Sequence, residues 1–207
     1  MRLKTVILEN FRGYLNKTCI PIEEGLTAFI GKNDVGKSTI LEALDIFFGN
    51  SRMEIDDACK YGDATRVTIG CVFTDIPQDE ILDGPGPETL KEEFLLNGDG
   101  DLEIHKVFDC TKSRVTEKTL FVSRHPTADS MDDLLSLNLS GLKKRYEDLG
   151  LEGVDKRSKT AIRRAIWGSI SENDMQLDTV SIPTEKETGK EIWDRVSKLL
   201  PIYALFK

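Results

Sequence analysis

The residues with the clearest chemical potential form an eight-residue run, GKNDVGKS, at positions 31–38. Two glycines, a lysine and a hydroxyl residue occupy every fixed position of the pattern G-x-x-x-x-G-K-[ST], which cradles phosphate groups. The glycines let backbone N–H groups curl around a phosphate, Lys37 would reach the β and γ oxygens, and the Ser38 hydroxyl would bind Mg²⁺. The motif therefore predicts ATP and Mg²⁺ as cofactors.

Most of the predicted nucleotide-binding residues lie in this run or directly after it. They are Gly31, Asn33, Asp34, Val35, Gly36, Lys37, Ser38 and Thr39. Thr39 would touch the α-phosphate. Lys37 is also the predicted catalytic residue, because its charge would lie at the γ-phosphate, and Ser38 is the predicted Mg²⁺ ligand.

A phosphate-binding loop needs a strand before it and a helix after it, so that N–H groups of the helix start point at the ligand. Residues 26–30 are an apolar run that predicts this strand. From Ser38 onward the apolar residues recur at helical spacing until Gly49 and Asn50 supply a stop signal. A chance match in a glycine turn would seldom combine the lysine, the hydroxyl, the strand and the helix.

The rest of the chain alternates between strand and helix patterns, which predicts an α/β fold with a mixed sheet around the phosphate-loop helix. Further strands are predicted at residues 3–11, 19–22, 66–74, 102–110, 118–123 and 202–206, and further helices at 88–96, 131–149, 158–170 and 187–199. Three domains follow. Residues 1–126 are the N-terminal lobe of a P-loop ATPase domain, 127–200 a helical insertion that could form a dimerisation region, and 201–207 the start of a further core strand. An ending inside an apolar strand predicts a truncated ATPase domain.

Composition limits the function classes further. The 207 residues carry 28 basic and 36 acidic side chains, a net charge of −8, so no global positive field attracts nucleic acid. DNA contact is therefore expected to be local or made by another part of the intact protein. Four cysteines without a C-x-x-C pair predict reduced thiols. No apolar run is long enough to span a bilayer and no signal peptide is evident, so we expect a cytoplasmic protein without membrane contact.

The opening residues and the phosphate loop together resemble a known group. Asn10, Phe11 and Arg12, followed by the loop with Asn33, are similar to the N-terminal lobe of ABC-type ATPases that handle DNA. That group comprises the structural maintenance of chromosomes (SMC), RecF and OLD (overcoming lysogenisation defect) families. Asp34 and the sequence after it resemble the OLD branch most, and the resemblance covers residues 1–75. It implies that Arg12 contacts the nucleotide, the alternative being a surface arginine in a turn.

The resemblance also implies what the intact protein does. It would bind Mg-ATP between two copies of a homodimer, hydrolyse it at composite sites and act on DNA. An OLD-like protein would couple this ATPase to a C-terminal Toprim endonuclease, in phage defence or repair. The alternative is a non-nucleolytic SMC-like or RecF-like clamp in which ATP controls dimerisation. A small-molecule kinase is disfavoured because it would not need the Asn-Phe-Arg opening.

Two motifs of the group are absent from the sequence. No run of four apolar residues precedes an Asp-Glu pair, and Leu-Ser-Gly-Gly-Gln is missing, because Leu142 follows Leu139-Ser140-Gly141 and removes the second glycine. We expect that tripeptide to form a bend between helices. The group also places a glutamine at Mg²⁺, and Gln78 is the nearest candidate, although a solvent-exposed residue at a helix start is the stronger reading. Hydrolysis is therefore expected only in the complete protein.

A basic cluster stands out in the last third of the chain: Lys156, Arg157, Lys159, Arg163 and Arg164. The helical pattern would leave Arg163 and Arg164 pointing outward, where they could hold DNA phosphates. A solvated helix face is the favoured interpretation, because no aromatic residues are interleaved. His105 and His125 have no acid or cysteine partner nearby in sequence, so neither is a candidate catalytic group.

Overall fold

The structure of the chain, a computed structural model, describes residues 1–31, 36–76, 90–171, 174–185 and 187–206. In these described ranges, six strands and four α-helices form a mixed α/β fold. The strands are β1 (Arg2–Glu9), β2 (Thr18–Pro21), β3 (Val67–Thr74), β4 (Leu102–Asp109), β5 (Thr116–Pro126) and β6 (Leu177–Pro183). The helices are α1 (Lys37–Phe47), α2 (Leu139–Asp148), α3 (Lys159–Trp167) and α4 (Glu187–Leu199).

Hydrogen bonding joins the strands in the order β2-β1-β3-β4-β5-β6. β1 is antiparallel to both of its neighbours, and its pairing with β3 shifts register between Leu3 and Thr5. Every residue of β3 from Val67 to Phe73 is buried. The sheet therefore has a core strand in β3, flanked by the strand that leads into residues 10–15.

Contact density divides the chain into two compact units. The first contains Met1–Ile76, Glu103–Leu120 and Leu200–Lys207, and the second contains Pro77–Leu102 and Phe121–Leu199. In the first unit, α1 buries the side chains that recur at helical spacing: Ile40, Ala43, Leu44, Ile46 and Phe47. In the second unit, the core includes Leu134, Leu142, Tyr146, Ile162, Ile166 and Val196. Each helix thus buries one apolar stripe, as its periodicity predicts.

The predicted fold class is confirmed, and the differences lie in individual elements. Residues 26–30 and 201–206 are predicted as strands, but the structure assigns neither segment to a strand. A strand needs a neighbouring edge to complete its backbone hydrogen bonds, and an apolar run alone does not supply one. Residues 90–94 form turns instead of the predicted helix, and Phe94 has a positive φ of 52°, which is incompatible with a right-handed helix. β6 was not predicted.

The helices within the described part of the chain are too short and too polar to cross a lipid bilayer.

Candidate nucleotide-binding site

The start of α1 is shaped by Gly36. This residue is the N-cap of the helix and has a φ of 86°, in the left-handed region that glycine tolerates. Among the residues that the structure describes, no side chain caps the helix start, and no acidic residue lies in its first turn. The first backbone N–H groups of a helix have no acceptor within the helix, and the macrodipole makes this end positive. An uncapped start is therefore suited to an anion.

Lys37 joins the two described ends of the phosphate loop. Its ammonium Nζ donates a hydrogen bond of 2.7 Å to the carbonyl oxygen of Gly31. Ser38 is exposed at the helix start, and Thr39 is half-buried. A lysine positive charge and a serine hydroxyl thus lie on the first turn of the helix, beside its uncapped N–H groups.

A tight turn between Phe11 and Tyr14 lies against the loop. Each of these residues donates its backbone N–H to the carbonyl of the other, at 3.0 and 2.8 Å. The Tyr14 hydroxyl then donates to the carbonyl oxygen of Gly36, at 3.2 Å. Burial raises the pKa of this hydroxyl above its ordinary value, so it remains a donor throughout the neutral range. Tyr14 is not among the predicted site residues, and the one signal for it in the sequence is its position directly after the Asn-Phe-Arg-Gly stretch.

Arg12 lies at the tip of the same turn, with a φ of 48°. Its Nε donates to Asp57 at 2.8 Å, and its Nη1 donates to a carboxylate oxygen of Glu42 on α1. About a third of the Arg12 side chain, 35%, is exposed, against 12% for Asp57. Arg12 is therefore an arginine held by two carboxylates and still open to solvent, on a turn whose last residue contacts the phosphate loop.

The other two residues of the Asn-Phe-Arg stretch have structural contacts. Asn10 receives a hydrogen bond from the backbone N–H of Asp63 and donates to the carbonyl of Arg66, both at 3.1 Å. Phe11 is fully buried. The stretch therefore fixes the turn to the core through Phe11 and to the segment before β3 through Asn10, while the guanidinium of Arg12 remains partly exposed.

The structure describes six of the predicted site residues: Arg12, Gly31, Gly36, Lys37, Ser38 and Thr39. Gly31, Gly36 and Lys37 are joined with Tyr14 by the hydrogen bonds given above. Asn33, Asp34, Val35 and the predicted Mg²⁺ ligand Gln78 lie outside the described residues. The nucleotide-binding, catalytic and metal-binding roles of all ten remain predictions.

The basic cluster differs from its prediction at one residue. Arg163 is 2% exposed, and it donates to both carboxylate oxygens of Glu93 at 2.8 and 2.7 Å. It does not point outward, because Glu93 and Thr188, both buried, and the half-buried Thr160 provide acceptors for its guanidinium. Arg164 is 52% exposed and pairs with Glu92 at 2.7 Å.

Two further members of the cluster are also paired with carboxylates. Lys156 pairs with Glu147 at 2.8 Å, and this bond raises the pKa of the lysine. Lys159 pairs with Glu191 at 2.9 Å, and that bond likewise raises the lysine pKa. Acidic partners thus neutralise most of the cluster, which weakens the case for a DNA-binding face there.

Leu139, Ser140 and Gly141 form the first turn of α2 instead of a bend between helices. The side chain of Asn138 caps this helix by accepting the backbone N–H of Gly141 at 2.9 Å. The capping asparagine starts the helix at this point. The segment therefore has a structural explanation that requires no nucleotide.

Comparison with known proteins identifies the family. The whole chain, residues 1–207, matches the family described as AAA ATPase domain. The chain belongs to this family. It is 22% identical over 193 residues to the structural maintenance of chromosomes protein 3 homolog of Plasmodium falciparum, covering 92% of this chain and 15% of that protein. It is 36% identical over 72 residues to the chromosome partition protein Smc of Cereibacter sphaeroides, covering 32% of this chain and 6% of that protein.

The similarity to SMC proteins confirms the predicted group, while the OLD branch remains a prediction. The chain also resembles a solved structure from work on ATP-driven dimerization and DNA-stimulated activation of SMC ATPases, with a TM-score of 0.42 and 16% sequence identity. The match covers 57% of this chain and 68% of the other chain. The chain spans less than a sixth of the length of either SMC relative.

Proposed function

We propose that residues 31–39 bind the triphosphate of ATP. The observation that carries this proposal is the helix start itself, where a left-handed Gly36 and the Lys37 ammonium occur together and no described side chain caps the first turn. On binding, Lys37 would exchange the Gly31 carbonyl for phosphate oxygens, because a charged acceptor forms the stronger hydrogen bond. Arg12 would add a second positive charge by leaving or sharing its carboxylates.

The residues present also fit Mg²⁺ as the second cofactor. Ser38 is exposed on the first turn, and a serine hydroxyl is an oxygen ligand of the kind that Mg²⁺ takes beside nucleotide phosphates. Among the described residues, no group of three His, Cys, Asp or Glu side chains could hold a metal ion. Ser38 would therefore be the ligand that these residues contribute, and Mg²⁺ would supply charge neutralisation at the phosphates.

We propose that hydrolysis requires a further part of the intact protein. Two segments of the first unit support this, because each turns apolar side chains to solvent: Leu26 and Ile30 are 85% and 95% exposed, and Ile202 and Phe206 are 100% and 93% exposed. In both segments exposed residues alternate with less exposed ones, which is typical of an extended strand whose backbone can pair with the edge of a further strand. The added part would also supply the missing acidic pair. In this scheme residues 1–126 are the N-terminal lobe, 127–200 an insertion and 201–207 a further core strand.

The intact protein is proposed to be a homodimeric ATPase that acts on DNA. The SMC relatives favour a non-nucleolytic clamp in which ATP controls dimerisation. The OLD-like sequence around Asp34 supports the second candidate, an ATP-dependent Toprim endonuclease in phage defence or repair. A cytoplasmic location is part of either proposal.

Titration of the purified chain with Mg-ATP in a calorimeter tests the nucleotide site. The wild-type chain should bind, and Lys37→Ala should lower the affinity about a hundredfold or more, because each charge-assisted bond to phosphate is among the strong hydrogen bonds. Lys60→Ala is the matched control, since Lys60 is an exposed lysine of the same unit. Equal affinity of wild type and Lys37→Ala would remove nucleotide binding from this loop. Hydrolysis above the Lys37→Ala level would contradict the need for a further part.

A further inference from the structure

Tyr14 makes two contacts with the same glycine of the phosphate loop. Its hydroxyl donates to the carbonyl oxygen of Gly36 at 3.2 Å. Its ring also covers the glycine, because a Cβ atom built on Gly36 would lie 3.1 Å from the hydroxyl oxygen and 3.3 Å from the ring edge. The tyrosine thus occupies the space that any side chain at position 36 would need.

We infer that Tyr14 is a positioning residue for phosphate binding, holding Gly36 in the orientation that aims the first N–H groups of α1. This inference rests on the proposed function of the loop. Gly36 has a φ of 86° and directly precedes the helix, so its conformation sets the direction of the peptide plane that carries the Lys37 N–H. A donor on its carbonyl and a ring against its Cα hold this plane from two sides.

The same turn connects Tyr14 to Arg12. The backbone of Phe11 and Tyr14 closes a turn with Arg12 and Gly13 at its tip, and the buried Phe11 ring anchors that turn in the core. One rigid turn therefore carries a donor to the loop backbone and an arginine predicted to reach the nucleotide. Movement of Tyr14 away from Gly36 would shift both groups together, which couples the loop geometry to the position of Arg12.

Conservative substitution separates positioning from packing. Tyr14→Phe removes the hydroxyl and keeps the ring, and Tyr61→Phe is the matched control because Tyr61 is 88% exposed in the same unit. Each variant is titrated with Mg-ATP as the full chain, and its unfolding temperature is measured without nucleotide. The backbone amide signals of Gly36 and Lys37 are followed by NMR in both states.

We expect Tyr14→Phe to bind ATP about three- to tenfold more weakly, the range given by one neutral hydrogen bond. Its Lys37 amide signal should shift even without ATP, while Tyr61→Phe matches wild type in both readouts. Tyr14→Ala, which removes the ring as well, should weaken ATP binding further than Tyr14→Phe does. The difference in affinity between these two variants measures the contribution of the ring. If Tyr14→Phe binds ATP with wild-type affinity, the positioning role of Tyr14 is overturned, while the proposed function of the loop still stands. Absence of ATP binding by wild type would overturn the proposed function and this inference together.

Discussion

Two arginines, one in each compact unit, show how the same side chain can serve different purposes. Arg163 in the second unit is 2% exposed, and its guanidinium bonds to Glu93, Thr160 and Thr188. Arg12 in the first unit is 35% exposed and is shared between Asp57 and Glu42. Protein acceptors take four of the five N–H donors of the buried Arg163, whereas water and an incoming anion can still reach Arg12.

This difference shows that the ability of a basic side chain to bind an external phosphate depends both on its acceptors within the protein and on its exposure. The sequence places Arg163 in a cluster of like charges, which is typical of a surface, and it places Arg12 alone in an acidic chain. In the structure the opposite holds, because Arg163 is buried and Arg12 is partly exposed. A buried guanidinium whose donors are bonded to protein acceptors has no capacity for DNA phosphate, while a partly exposed one held by carboxylates can exchange them for phosphate.

The largest expected effect is on stability in the second unit. Arg163→Met should lower the free energy of unfolding by about 3–5 kcal/mol, because it leaves the Glu93 carboxylate buried without a charged partner. Arg164→Met is the control on the next residue, and loss of its exposed pair should amount to at most about 1 kcal/mol. Chemical denaturation with circular dichroism measures both. Similar losses in the two variants would remove the distinction between a buried and a surface arginine.

An intermediate effect is expected on ATP affinity in the first unit. Arg12→Ala should weaken Mg-ATP binding about tenfold, the loss of one charge-assisted hydrogen bond. Glu42→Gln should instead strengthen it a few-fold, because the neutral amide competes less well than a carboxylate for the guanidinium. Arg52→Ala and Glu24→Gln are controls at exposed positions of the same unit. If Arg12 is only a structural tie, Glu42→Gln will leave the calorimetric affinity unchanged.

The smallest effect concerns pH and His125 in the second unit. Its Nδ1–H donates to the carbonyl of Phe94 at 3.1 Å, and its Nε2 is buried without a partner among the described residues. Burial lowers the pKa of His125 below its ordinary value of 6.5, against smaller opposing contributions from the Phe94 carbonyl and Asp132. Between the lowered pKa and 6.5, the unfolded chain therefore binds a proton that the folded chain does not.

Stability should consequently fall as pH drops below 6.5, since protons then favour the unfolded chain. His125→Phe removes this titration, while the carboxylates contribute equally to both proteins. The free energy of unfolding, measured from pH 7 to pH 5, should therefore fall less steeply in the variant. Parallel pH profiles of the two proteins would show that His125 titrates alike in the folded and unfolded chains.

Local patterns predict well where one residue or one period decides the structure. The helical spacing after Ser38 predicts α1, which buries one apolar stripe, and the strand pattern of residues 66–74 predicts β3, which is buried on both faces. The start of the helix after the phosphate-loop motif is likewise predictable, since Gly36 with its φ of 86° directly precedes α1. These features need no information about distant parts of the chain.

Features that depend on a distant partner could not be predicted in this way. The Tyr14 hydroxyl meets Gly36 only after β1 and α1 have packed, and Glu93 meets Arg163, which lies 70 positions further along the chain. Residues 26–30 have a strand pattern, yet a strand forms only where another edge completes its hydrogen bonds. For each of these features, the residue types indicate what kind of contact can form, but the residue or strand that completes the contact is distant in the sequence.

The most direct test of the central claim is a crystal structure of the chain with Mg²⁺ and a non-hydrolysable ATP analogue. We expect phosphate oxygens at the N–H groups of residues 36–39, with Lys37 Nζ moved from the Gly31 carbonyl to the phosphates and Tyr14 still bonded to Gly36. A nucleotide bound elsewhere, with the 2.7 Å bond from Lys37 to Gly31 intact, would contradict it.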